Sequence, residues 1–260
     1  MSEQPPLMAP PYRFAALTAL GVFLLYVLTL APTTQFWDAS EYITAAHALG
    51  IPHPPGNPLF VLLAHVWGLL PLAADYGARV NLFAAAMSAA SAGLWFLIAE
   101  RWLRPIVPAV AGRRLAALAG TLVGATAFTV WNQSVANEKV YTVSMLSIAL
   151  VLWLAIRWAD HPPDRRPDRL LVLVAYILAL TAANHQMGLL AIPTVVALVA
   201  VTDVRTLVRP RLLAAAGTIG TLPRFGEQAI VRTNGFMDQL RDRQSGDSAE
   251  FRDRASRVLR

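Results

Sequence analysis

TTQFWDASEYITAAHALGIPHPPGNP, residues 33–58, is the stretch on which the reading of this chain turns. It places two carboxylates, Asp38 and Glu41, one helical turn apart, sets the aromatic pair Phe36 and Trp37 beside the first, and follows them with a proline-stiffened HPPGNP segment. A short helix over 39–49, closed by Gly50 and Pro52, would carry Asp38 and Glu41 on neighbouring positions of one face. Two roles are open to that spacing. An Asp followed one turn later by Glu is close to a capping box, with Gly50 as the C-terminal stop. Alternatively, a carboxylate at a lipid–water boundary serves as a general base.

The runs on either side decide the class. Hydrophobic residues make up 56% of the 260 and charged residues only 15%, with a mean hydropathy of +0.48. They are clustered rather than dispersed, so the chain reads as an all-α polytopic membrane protein. There is no cysteine, which removes disulfides and thiolate metal sites. A net charge of +6 would suggest nucleic acid in a soluble protein. Here the arginines fall in the loops between apolar runs, where they set orientation, and no nucleic-acid partner is expected.

The first run, 14–30, follows Arg13 and has the length of a spanning helix; it is longer than a signal-peptide core and lacks a good cleavage site. Runs over 80–98, 115–131 and 140–156 read as further spans. The long stretch 170–201, interrupted by Asn184, His185 and Gln186, reads as two short ones. The run 59–72 is short, carries His65 and Gly68 and is broken by Pro71. Charge decides whether it crosses. If it does not, the cytoplasmic side receives Arg13, Arg101, Arg104, Arg113, Arg114, Arg157, Arg165, Arg166, Arg169, Arg205, Arg209 and Arg211, and the outer side keeps Arg79 and Lys139. The expected topology is therefore a cytoplasmic N-terminus over 1–13, six spans within 14–211, and an outer loop over 31–79 whose helix lies in the interface.

That topology gathers four polar segments on the outer face: WDASEY, HPPGNP, NQSVANEKVY (132–141) and TAANHQM (181–187). Polar groups at membrane depth are expensive and mark a site. Asp38 and Glu41 are the expected catalytic residues. Trp37, His53, Arg79, Glu138, Lys139 and His185 are the expected substrate-binding residues. His53 is held by the prolines after it, and Lys139 is either paired locally with Glu138 or a point charge for a phosphate. His47 and His65 read as satisfied interfacial groups. No HExxH spacing and no Gly-rich phosphate loop is present, so neither a histidine-held metal nor a nucleotide donor is expected.

The segments LTLAPTTQFWDASEYITAAHALGIPHPPGNPLF, VNLFAAAMSA, WNQSVANEKVYTVS and NHQMGLLAIP carry a resemblance. An apolar first helix, an outer aromatic-Asp-x-x-Glu segment and His-Pro-Pro leading into a short apolar helix resemble the GT-C superfamily of polyprenyl-phosphate-sugar glycosyltransferases. Over 14–211 the chain looks like the bacterial relatives of the animal O-mannosyltransferase that modifies plexin-type domains. The resemblance implies an inverting transfer at the outer face of the bacterial inner membrane. The donor is a sugar on a polyprenyl phosphate, the acceptor a protein or glycan hydroxyl, and no separate cofactor is needed. Asp38 falls at the position of the base, and Lys139, Arg79 or His53 would stabilise the leaving phosphate. A transporter or flippase and a non-catalytic membrane subunit are the rival readings.

The end departs from the pattern. The run 212–222 begins as a seventh span and meets Pro223, Arg224 and Glu227, and 224–260 is charged throughout. The expectation is a truncated span with a cytoplasmic tail, making an incomplete catalytic unit.

Overall fold

A helix of 27 residues, Tyr76–Trp102, is the spine on which the other helices pack. At 1.5 Å per residue it is about 40 Å long. Asp75 starts it by accepting a hydrogen bond from the Ala78 N–H at 3.0 Å. Its buried face is small and dense: Ala84, Ala85, Ser88, Ala89, Ser91, Ala92 and Gly93. Small residues let helix backbones approach closely in a membrane. A Cβ added at Gly93 would stand 3.0 Å from the carbonyl oxygen of Ala15 on the first helix.

In this computed structural model, residues 9–35, 37–54, 56–137, 140–215 and 217 are described. In chain order the helices are α1 (Tyr12–Leu28), α2 (Ala39–Ala48), α3 (Pro58–Gly68), α4 (Tyr76–Trp102), α5 (Val110–Thr126), α6 (Phe128–Val135), α7 (Tyr141–Ala159), α8 (Asp168–Ala182) and α9 (Ala191–Asp203). No strand occurs among the described residues. This is an all-α membrane protein. Helix α4 lies between α1, α5 and α7, and α7 carries α8 and α9 on its other side.

Three helical segments are long and apolar enough to cross a bilayer: α4, α7 and the continuous stretch Gln186–Val208 that contains α9. The expected 115–131 span is instead the pair α5 and α6, bent by 67° at Ala127, and counts as a fourth span only if the pair is taken as one. With 17 and 15 residues, α1 and α8 sit at or below the length that spans the hydrocarbon core upright. Hydropathy alone, which gave six spans, cannot see these bends and breaks. Helix α3 has 11 residues, about 16 Å, roughly half the hydrocarbon thickness. It presents Leu62, Leu63, Val66 and Leu69 outward, so 59–72 does not cross as a straight helix.

One end of the bundle is closed by ion pairs. Arg101 donates to Asp160 at 2.6 and 2.8 Å, and Arg157 approaches the same carboxylate. Glu100, 2% exposed, accepts from Arg113 Nε at 2.8 Å and from Arg104, while Arg113 also donates to the carbonyls of Val107 and Pro108. Arg209 bridges Asp168 and Asp203. The arginines that read as free loop charges in the sequence therefore tie helix ends together. The tail from 218 onward lies outside the described residues.

Because Arg113 is also almost fully buried, Glu100→Gln strands a guanidinium without its counter-charge. Detergent-solubilised Glu100→Gln should lose roughly 3 kcal/mol or more of stability, whereas Arg104→Gln, removing the more exposed partner, should cost under about 1 kcal/mol. Equal unfolding midpoints for the two variants would contradict this account.

Candidate functional site

Every left-handed backbone position among the described residues falls between 37 and 57: Trp37, Leu49, Gly56 and Asn57, with φ of 63°, 51°, 83° and 40°. Three of them carry side chains that pay for this conformation, and such strain persists only where the surroundings hold it. Leu49, rather than Gly50, takes the left-handed position that ends α2, and Gly50 N–H then bonds the Ala45 carbonyl at 2.8 Å. The expected glycine stop is thus displaced by one residue.

The two carboxylates differ in their surroundings. Asp38 precedes α2, but its side chain makes no cap hydrogen bond, so the capping-box alternative does not describe it. Glu41 is engaged by His53 twice. The His53 backbone N–H donates to Glu41 Oε1 at 2.5 Å, and His53 Nδ1 lies 2.8 Å from Oε2. The hydrogen bond from the ring, with further help from the backbone N–H and the ring's charge, holds the Glu41 carboxyl below its ordinary pKa despite some desolvation. Asp38, Glu41 and His53 each bring one ligand atom within 4.8 Å of the others. Two carboxylates and an imidazole are also a donor set suited to a divalent cation. A search for HExxH could not find it, because the histidine comes from a separate loop.

Tyr42 lies behind this cluster, 3% exposed, with its ring edge-on to His53 at 5.5 Å. Burial, then the negative charges of Asp38 and Glu41, push its hydroxyl pKa up to about 12, so it stays a neutral donor. It donates to Asn57 Oδ1 at 2.9 Å. The Asn57 amide in turn donates to the carbonyl of Asn184, whose own amide donates to the Val140 carbonyl at 3.0 Å and to Ser144 Oγ at 2.8 Å. On the other side, Asn81 donates to the carbonyls of Ala31 and Thr33 and accepts from the Asn137 N–H. Three asparagines so gather the loops before α2, α3, α7 and α9 at one end of the bundle. Sequence reading missed Asn57 and Asn81; a buried amide next to a helix break is the signal that could have found them.

The other expected residues are placed as follows. Trp37 is 85% exposed and projects from the loop. Arg79 donates to the carbonyls of Ala73, Gly68 and Ala74, which fastens the end of α3 to α4. His185 accepts from the Met187 N–H at 3.1 Å and packs edge-on against Tyr141. His65 contacts the Ala46 carbonyl and His47 packs on Tyr76, the satisfied roles expected of them. Glu138 and Lys139 lie outside the described residues.

The family described as the protein O-mannosyl-transferase TMEM260 N-terminal domain matches residues 38–208, from the first carboxylate of the cluster to the end of the last described span. The chain belongs to this family. It is 32% identical over 184 residues to the mouse protein O-mannosyl-transferase TMEM260, a match covering 68% of this chain and 25% of the mouse protein. It is 41% identical over 44 residues to the Dictyostelium discoideum protein of that name, covering 17% of this chain and 5% of that one. The chain thus spans about a quarter of the length of the mouse relative. No solved structure matches it.

The His53 amide reports on the cluster directly. Glu41 has a depressed folded pKa, so its contribution is present above the unfolded value and is lost as pH falls through the folded one. The protection factor of the His53 amide should be high near pH 7 and collapse below about pH 4. In Glu41→Gln it should be low throughout. Equal protection in acid and at neutrality would detach His53 from Glu41.

Proposed function

We propose that this chain carries the catalytic end of a membrane glycosyltransferase that moves a sugar from a polyprenyl-phosphate donor to an acceptor hydroxyl, as the name protein O-mannosyl-transferase suggests for its relatives. The observation that carries the reading is Asp38: a half-buried carboxylate at the bundle end, unused as a helix cap, beside a second carboxylate whose oxygens His53 engages.

The acceptor O–H gives its proton to Asp38 as its oxygen attacks the anomeric carbon from the side opposite the phosphate. The bond from that carbon to the phosphate oxygen breaks, the phosphate leaves with the electron pair, and the configuration inverts. Glu41 orients His53, so that the imidazole faces the developing phosphate charge as a donor. Lys139 remains a second cation for that phosphate, and Trp37 a platform for the acceptor. Arg79 acts on the same end mainly by holding α3. A transporter would need polar groups along a path through the bundle, whereas the asparagine and carboxylate clusters described above lie at one end. The positive-inside argument directs that end outward from the cytoplasmic membrane.

Two measurements test the reading. Asp38→Asn should lower sugar transfer from a polyprenyl-phosphate donor by roughly a hundredfold or more while donor binding is kept; undiminished transfer would remove Asp38 from the reaction. Cysteines placed at Ala74 and at Ala111 should react with impermeant reagents from opposite sides, Ala74 from outside. Reaction of Ala74 from the cytoplasm alone would invert the scheme.

A further inference from the structure

A cavity of about 280 Å³ lies inside the bundle, away from the carboxylate cluster, between α1, α4, α5, α6 and α7. Tyr26, Ser88, Ser91, Trp95 and Thr121 line it, together with Gly120 and Gly124. No charged residue does. Trp95, Gly120 and Gly124 are exposed on the lipid-facing side, so the cavity opens toward the bilayer. A Cβ built at either glycine meets nothing within 4 Å.

The hydroxyls make this more than a packing defect. In a membrane helix a serine or threonine ordinarily returns its hydroxyl to the carbonyl one turn earlier. Thr18, Thr126, Ser134 and Ser147 all do so here. Ser88, 2% exposed, and Thr121, 7% exposed, do not, and their hydroxyls meet no protein partner. A buried polar group without a partner is costly, and a native structure that keeps two of them at one cavity calls for a ligand.

We infer that this cavity is a binding slot for an isoprenoid chain that enters sideways from the bilayer. The choice of an isoprenoid over other lipids rests on the donor proposed above; the slot itself does not. A GxxxG pair such as Gly120 and Gly124 also serves helix association. However, a helix is about 10–12 Å across with its side chains, so a 15 Å length displaces on the order of 1,000 Å³. The cavity is several times smaller and admits a single hydrocarbon chain. The glycines and alanines of its wall leave width for methyl branches. The alkenes of an isoprenoid offer π faces to the two hydroxyls, a weak interaction that a saturated acyl chain cannot supply. Tyr26, whose hydroxyl donates to the Ala125 carbonyl at 2.8 Å, holds the kinked side of the slot fixed.

The test uses the full chain in vesicles of phosphatidylethanolamine and phosphatidylglycerol. One probe is a diazirine-tagged isoprenyl monophosphate without sugar; the other is a phosphatidylcholine tagged on a saturated acyl chain. The isoprenyl probe should cross-link within 88–99 and 120–125. The Gly120→Leu/Gly124→Leu variant fills the slot and raises helix propensity, so it should fold, and labelling should fall at least about tenfold, no more than the loss of two buried methylene contacts would give. In Ser88→Ala/Thr121→Val, which keeps the volume, the preference for the isoprenyl over the acyl probe should shrink. Equal labelling of these segments by the acyl probe in the unaltered chain would overturn the inference, as would isoprenyl labelling that the leucines leave intact. A cross-linked dimer that the leucines dissolve would assign the face to a second helix and overturn it too. Specific labelling by a chain that transfers no sugar would uphold the slot while removing the transferase reading.

Discussion

The buried amide pair Asn57 and Asn184 is the interaction on which the site end of this protein depends. Wherever a helix breaks in an apolar surrounding, backbone groups lose their partners and must find others. The chain breaks at 183–190 and enters α3 through two left-handed residues. Asn184 serves the Val140 carbonyl with its side chain and accepts the Asn57 amide with its own carbonyl. The two side chains satisfy three connections at once. They also fix Tyr42, on whose ring His53 rests, so the alignment of His53 with Glu41 rests on a hydrogen-bond chain that begins at the far helix break.

This arrangement explains how a short amphipathic helix holds a strained neighbourhood. Helix α2 has only ten residues, too few to be stable alone. It is fixed by Tyr42, Ile43, Ala45 and Ala46 packing on Phe60, Val61 and Ala64 of α3 and on Val80 and Phe83 of α4, and by the His65 contact to its last turn. With its inner face buried, the carboxylates are left on the outer one. The strained positions at Trp37, Leu49 and Asn57 are then consequences of docking a short helix tightly between two fixed points.

The two ends of the bundle use charge differently. At one end arginines are consumed in pairs with Glu100, Asp160, Asp168 and Asp203, closing helix termini whose carbonyls would otherwise face lipid headgroups unpaired. At the other end the described ion pair is the contact between His53 and Glu41, with both side chains more than two-fifths exposed, and the internal ties are neutral amides. A neutral scaffold leaves the local field to Asp38 and Glu41 themselves, which suits a site where a proton is taken up and an anion departs.

The sequence by itself determined the class and the location of the site. Clustered apolar runs specify membrane helices because lipid offers no partner for an exposed backbone, and the pattern WDASEY with HPPGNP marks the polar end because such residues are excluded from the spans. It also made α3 too short to cross and His47 and His65 interfacial. What it could not determine was which carboxylate is held and which is not, since an Asp-x-x-Glu spacing is the same for a capping box and for a cluster completed by a histidine twelve residues away. Nor could it foresee the bend at Ala127, the asparagine chain or the pairing of the arginines. These depend on which segments, distant in sequence, meet at a bundle end, and hydropathy records only how much each residue avoids water, not which polar partner it finds once water is gone.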